Sequence, residues 1–363
     1  EGLFALMQNI KVKKSRLSMG LSSGYNDANN HLQKIGLSEE RMVSSIKRNN
    51  RVACDFGLFI RTKKIMWSFA YRDFNYLVGN EFLKYIKDYL ETTESFVKAN
   101  NYHFLIVPND VDFFSRLYLK IFKQLKKPSF IFMHGGLPNI YDGIMDNGSD
   151  YIVSWGGIQN EAYVKMGFDK KKMYICGHPF YINIPKKLNF SFENILILTK
   201  SLNGVCPLEK PHLEDRGNAI LYLQSIRNVL INNGITQVRL RPHPSECSNW
   251  YLKFLDNNFF KIDTRNLKET LQDSTLVIGP ISTTIIDTMH YEVNYIVYEP
   301  TINGKTILGH DICPPLDGSD ERIPIARSEN ELKDILLEKK KIDISCYEDY
   351  APQYNIDFLK DLI

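Results

Sequence analysis

The stretch RLRPHPSE, residues 239–246, follows an apolar run and sets two prolines among arginines and a histidine. Proline fixes φ and offers no N–H to a β ladder, so Pro242 and Pro244 stop both a strand and any helix at this point. Arg241 and His243 are therefore predicted to stand on the rim of a sheet. The same layout recurs on either side. Apolar runs at NILILTKS (194–201), VRLRPHP (238–244), FFKID (259–263), TLVIGP (275–280) and NYIVYEP (294–300) alternate with helical patterns at about 214–233, from Asn266, from Ser282 and at about 329–341. Short apolar strands alternating with helices predict a parallel sheet with crossover connections.

The first half shows the alternation again, at HFLIVPND (103–110), SFIFMHGG (129–136), DYIVSWGG (150–157) and KMYICGHP (172–179), with helices at about 79–99 and 111–125. A strand is predicted at 64–69, and the polar stretch 8–50 carries only a weak helical pattern. Polar, aperiodic residues 183–193 mark a boundary. The expected organisation is an N-terminal domain (1–187), a C-terminal domain (188–345) and a tail with a short helix (346–363). The fold class is α/β: two doubly wound Rossmann-like domains facing each other across a cleft. In such sheets ligands bind beyond the carboxyl ends of the strands.

Composition sets outer limits. A chain of 363 residues with 44% hydrophobic and 24% charged residues suits a soluble protein of two domains. A formal net charge of +3 suits an anionic ligand or an acidic membrane surface but is far from a nucleic-acid-binding signature. Six cysteines without a CxxC pair point to a reduced, cytoplasmic setting rather than a disulfide framework or zinc site. No apolar run is long enough to span a bilayer and no signal peptide is visible, so the expected localisation is cytoplasmic, with peripheral contact on the inner face of the membrane. The start at Glu1 rather than methionine is expected of a trimmed chain.

Three strand-end loops carry the candidate chemistry. In GPISTT (279–284) three hydroxyls, Ser282, Thr283 and Thr284, open a helix, where unpaired N–H groups and the positive dipole end favour a phosphate; Ser282 acting as a plain cap is the competing reading. Arg241 and His243 on a neighbouring strand end would complete an anion pocket, with Pro244 shaping it and Glu246 a candidate ribose or base contact. In FMHGGLPNIYDG (132–143), His134 on a glycine turn is the candidate general base, since a neutral imidazole takes a proton near neutral pH. Asp142 and Glu161 are secondary candidates, followed by Asp110 and Asp112. Trp155 reads as packing and His178 as shaping the linker. Walker, HExxH, GxSxG and GxGxxG motifs are absent, as is any carboxylate cluster suggesting a metal.

The RPHP loop, the GPxSTT loop and the HGG followed by a strand ending in SWG together resemble the GT-B glycosyltransferases of bacterial surface polysaccharide synthesis. The pattern is similar to bacterial sialyltransferases and polysialyltransferases, capsule 3-deoxy-octulosonate transferases and CDP-glycerol glycerophosphotransferases. The resemblance implies that the N-terminal domain (1–187) binds the acceptor, that the C-terminal domain (188–345) binds the nucleotide donor, and that His243, Pro244, Ser282, Thr283 and Thr284 hold a CMP moiety. In place of the sialyltransferases' acidic motif this chain has His134-Gly135-Gly136, as in the glycerophosphotransferase pattern, where the histidine serves as base. The implied activity is inverting, metal-independent transfer from a nucleotide-activated sugar, a CMP-linked nonulosonic acid being favoured, to a capsule or lipopolysaccharide acceptor, with the donor as co-substrate and no other cofactor. Alternatives are polyol-phosphate transfer, a nucleotide-sugar epimerase and a non-catalytic nucleotide- or glycan-binding subunit.

Overall fold

All residues of the strands Phe104–Val107, Ser129–Phe132, Ile195–Leu198 and Leu276–Gly279 are buried. That is the pattern of parallel strands covered by helices on both faces. The computed structural model describes residues 19–22, 31, 32, 34, 35, 38–42, 52, 53, 56–133, 135–137, 148–181, 184–200, 213–244, 246–302, 305–308 and 316–363. The chain divides into two units: one takes Glu1–Gly135, Asn139–Phe180 and Tyr354–Ile363, the other Gly136–Pro138 and Tyr181–Gln353.

The first unit holds a sheet of β1 (Met19–Ser22), β2 (Ser38–Met42), β3 (Val52–Ala53), β4 (Phe104–Val107), β5 (Ser129–Phe132), β6 (Tyr151–Ser154) and β7 (Met173–Ile175). Its order is β3-β2-β1-β4-β5-β6-β7, and every pairing is parallel. The second unit's main sheet uses β8 (Ile195–Leu198), β9 (Val238–Arg241), β10 (Phe260–Ile262), β11 (Leu276–Gly279) and β12 (Asn294–Tyr298). A short hairpin, β13 (Thr301–Ile302) with β14 (Lys305–Thr306), precedes the last strand, β15 (Ile325–Ala326). The main sheet, ordered β10-β9-β8-β11-β12-β15, is also wholly parallel. In each sheet the order runs outward both ways from a central pair, β1/β4 or β8/β11, which is the doubly wound arrangement.

Several of the helices start where short polar side chains supply caps. Asp112 accepts from Ser115 N (2.9 Å) ahead of helix Phe113–Gln124, Asn266 from Glu269 N (2.9 Å) ahead of Leu267–Gln272, and Ser328 from Glu331 N (3.2 Å) ahead of Glu329–Glu338. In the second unit Leu223, Ile226 and Leu230 of helix Leu213–Asn232 pack with Ile195, Ile197, Leu240 and Ile278 of the sheet. In the first, Phe104, Phe130 and Val153 form a core to which the C-terminal Ile356 and Leu359 return. Asn355 N donates to Cys176 O at 2.9 Å, fastening that return.

Two expectations are corrected. Residues 64–69 lie within a helix, Phe56–Tyr71, not a strand. The stretch 8–50 contains β1 and β2, not a helical pattern alone. Among the described residues Cys176 and Cys346 are buried free thiols, and no helix is long and apolar enough to cross a membrane.

Candidate functional site

The β8/β11 pair is the switch point of the second sheet, the place where sheets of this topology bind ligands beyond the carboxyl ends of their strands. Register aligns that edge: Leu198 pairs with Arg241, Ile197 with Ile278, and Gly279 with Val297. Thr199, Pro242 and Pro280 are thus the first residues past the edge on three adjacent strands.

Strand β9 alternates, with Val238 and Leu240 buried and Arg239 and Arg241 half-buried. Arg239 is structural: it donates to Asp263 Oδ2 (3.0 Å) and Ser274 Oγ (2.7 Å). Burial opposes ionisation of Asp263, yet its bonds to Arg265 and the charges of Arg265 and Arg239 hold it at about 2. Arg241, one turn of the pleat further on, donates to the Arg265 carbonyl. Pro242 is buried, whereas His243 and Pro244 are exposed.

What shapes this loop is Glu246, only 7% exposed. Its Oε2 accepts from His243 N at 3.0 Å and from the Thr199 hydroxyl, and its Oε1 accepts from Tyr251 OH at 2.9 Å. His243 N also donates to Thr199 Oγ1 at 3.0 Å. The prolines end the strand, and the buried carboxylate then pins the turn so that the His243 side chain faces outward. The carboxylate of Glu246 is engaged inside the loop, which makes it a brace behind His243.

The β11 loop is built on the same plan. A Cβ on Gly279 would collide with the Tyr295 hydroxyl and come within 3.0 Å of Leu198 Cβ, so only glycine fits there. Tyr295 OH donates to Pro280 O (2.6 Å), and Ile281 N donates to Oε1 of Glu299, which is fully buried (2.6 Å). Helix Thr284–His290 follows. Ser282 Oγ accepts from Thr284 N at 3.3 Å and lies 3.1 Å from Thr284 Oγ1, while Thr283 occupies the N-cap position without a side-chain cap bond. One turn on, burial raises Asp287 to about 6 against the opposing bond it accepts from Tyr181 OH (2.7 Å). The structure thus brings Arg241, His243, Ser282, Thr283 and Thr284 to one edge of one sheet. Sequence reading missed Thr199 and Glu299. Their signal was available: each polar residue directly follows a strand whose residues are all apolar or buried, as in LIL-Thr and IVY-Glu.

In the first unit His134 and Asp142 lie outside the described residues. The residues flanking His134 are clamped: Trp155 Nε1 donates to Met133 O (2.9 Å), Gln159 Nε2 to Gly135 O (2.6 Å), and Trp155 N to Gln159 Oε1 (2.9 Å). The Trp155 ring lies 4.1 Å from that of His178, which meets His31 edge-on at 5.6 Å. His31 Nδ1 is 3.2 Å from Tyr354 OH. Burial lowers His31 to about 4 and, together with the charge of His31, lowers His178 to about 3, so both imidazoles are neutral at physiological pH. His178 is thus part of the packing under the HGG loop. Asp110 is buried, Asp112 is a helix cap, and Glu161 is exposed on helix Gly157–Lys165.

The chain is similar along nearly its whole length to solved structures. These include the UDP co-structure of S. aureus MnaA (TM-score 0.56, 9% identity, 96% of this chain and 98% of that one). The UDP-GlcNAc 2-epimerase of Methanocaldococcus jannaschii in complex with UDP-GlcNAc and UDP matches with TM-score 0.53 and 10% identity over 93% and 96%. The lipopolysaccharide outer core galactosyltransferase WaaB matches with TM-score 0.50 and 10% identity over 94% and 97%. No protein-family profile and no curated protein matches the sequence. The fold is GT-B, with two Rossmann-like domains.

Proposed function

We propose that this chain is a glycosyltransferase that moves a sugar from a nucleotide-activated donor to a hydroxyl of a surface glycan, with inversion and without a metal. The observation that carries the reading is the pair of braced loops at the carboxyl edge of the second sheet. There Glu246 and Glu299 hold from behind a rim bearing Arg241, His243 and three hydroxyls. In the proposed reaction the donor phosphate lies against Arg241, His243, Ser282, Thr283 and Thr284, with Pro244 beside it. The bond between the anomeric carbon and the phosphate oxygen breaks, and these fixed donors stabilise the charge left on the nucleotide. The acceptor oxygen bonds the anomeric carbon from the opposite side, and its proton passes to His134. Bonds to Met133 O and Gly135 O keep the backbone beside that histidine in place.

A CMP-linked nonulosonic acid is the first donor to assay, on the strength of the motif order, with CDP-glycerol next. A second reading, nucleotide-sugar epimerisation, draws on the whole-length likeness to the M. jannaschii epimerase. The test is incubation with CMP-, CDP-, UDP-, GDP- and dTDP-activated donors, with and without lipopolysaccharide or capsule fragments, following both nucleotide release and the epimer at the sugar. Acceptor-dependent release that His134→Ala abolishes and that persists in EDTA supports transfer. Epimer formation without acceptor replaces it with the second reading. Tight binding of a donor with neither product leaves a non-catalytic binding subunit.

A further inference from the structure

Helix Phe56–Tyr71 carries apolar side chains on its exposed face as well as on its buried one. Leu58, Thr62, Ile65 and Ser68, at helical spacing, are the buried ones, and two of them are hydroxyls bonded back to the carbonyls of Leu58 and Lys64. The opposite face carries Ile60, Lys64, Trp67 and Tyr71, with Lys63 at its edge. Trp67 is 51% exposed, Tyr71 73% and, beyond the turn, Phe74 74%. Trp67 and Tyr71 are in ring contact at 5.4 Å, so these two rings form one exposed aromatic surface, with Phe74 three residues further along the chain. Single exposed apolar residues are ordinary, but an aromatic surface of this kind marks a contact with something else.

Charge says with what. The helix sequence FGLFIRTKKIMWSFAY contains no acidic residue; its Arg61 is paired with Asp88 at 2.9 Å, and Lys63 and Lys64 are its other cations. The Arg72 guanidinium lies 5.2 Å from the Trp67 ring centre and 5.1 Å from that of Tyr76. Lys64 Nζ lies 4.2 Å from the Tyr85 ring centre. Aromatic rings flanked by cations on long stems are the groups that settle at the headgroup level of a bilayer, rings inward and charges at the anionic surface. A helix of 16 residues spans about 24 Å and cannot cross the membrane with this charge, so it would lie flat on it.

We propose that the surface formed by Trp67, Tyr71 and Phe74 with Lys63, Lys64 and Arg72 docks this protein on a bilayer rich in acidic phospholipid. The proposal does not rest on the function argued for the second unit. Its test is sedimentation of the full chain with vesicles of phosphatidylcholine alone and of phosphatidylcholine mixed with phosphatidylglycerol. Binding is expected to the mixed vesicles only and to weaken as salt rises. Replacing Trp67, Tyr71 and Phe74 together by alanine should lower the partition coefficient by about tenfold or more, which is about 1.4 kcal/mol. Lys63→Glu with Lys64→Glu should do the same. Leu337→Ala, at a residue 61% exposed in the second unit, should change nothing. Because the substituted side chains are exposed or, for Lys63, half-buried, unchanged circular dichroism is expected for all variants, and a blue shift of tryptophan emission on mixed vesicles should vanish in Trp67→Phe. Equal sedimentation of all variants, or none with acidic vesicles, overturns the proposal. So does wild-type self-association that the aromatic substitutions abolish in the absence of lipid, which would make the surface an interface between copies.

Discussion

Glu246→Ala removes one carboxylate and takes an acceptor from three donors at once: the Thr199 hydroxyl, the His243 amide and the Tyr251 hydroxyl. The amide keeps its bond to Thr199 Oγ1, so two donors lose the full interaction. A bond to a charged acceptor contributes about 1.5–3 kcal/mol, and relief of the buried charge offsets part of two such losses, leaving a net cost of about 3 kcal/mol. The loss is local first. Hydrogen exchange of peptides covering 242–247 should speed up by about a hundredfold, the factor matching that free energy. Glu246→Gln keeps one acceptor oxygen, and the Tyr251 hydroxyl can turn to accept from the amide, so its cost should be about 1 kcal/mol. Exchange in Glu246→Ala that matches wild type, with thermal melting also unchanged, would refute the claim that this carboxylate holds the loop.

Gly279→Ala should destabilise the second unit by about 3 kcal/mol, because its Cβ overlaps the Tyr295 hydroxyl. Adding Tyr295→Phe removes the colliding atom, so the double variant should melt above the sum of the two single changes, and strict additivity would refute the packing account. Asp287, raised to about 6, keeps its proton in the folded state at pH values where the unfolded chain has lost it. Stability should therefore fall as pH rises from about 4 to about 6, and Asp287→Asn should flatten that slope in melts across the window. An identical slope in the variant would show that another group is responsible.

Legibility in the sequence followed burial. Strands β8, β11 and β12 are covered on both faces, so their runs ILIL, LVIG and NYIVY stand out against polar flanks, and the alternation of β with α was plain. The same held for β4 and β5. Helix Phe56–Tyr71 was misread because its apolar residues are not confined to one face: Leu58 and Ile65 face inward beside hydroxyls bonded within the helix, while Trp67 and Tyr71 face out. A dense run such as IMWSFAY then mimics a strand. Strands β1 and β2, MGLS and SEERM, lack an apolar run altogether, so nothing in their composition distinguished them. At the site, the rim residues could be named from proline, glycine and hydroxyl chemistry. The braces Thr199 and Glu299 were marked in the sequence only by position, each a polar residue directly after a buried strand, and their role depends on which strands become neighbours. The order β9-β8-β11-β12 is a property of the sheet, not of any one segment.

The central claim is that the carboxyl edge of the second sheet binds the donor nucleotide. Calorimetric titration of CMP, CDP and UDP into wild type, Arg241→Ala, His243→Ala and Ser282→Ala with Thr283→Ala tests it most directly. At least one nucleotide is expected to bind the wild type and each variant to weaken it by about tenfold or more, while melting stays unchanged. A nucleotide that binds all four proteins with equal affinity would place its site elsewhere and contradict the account.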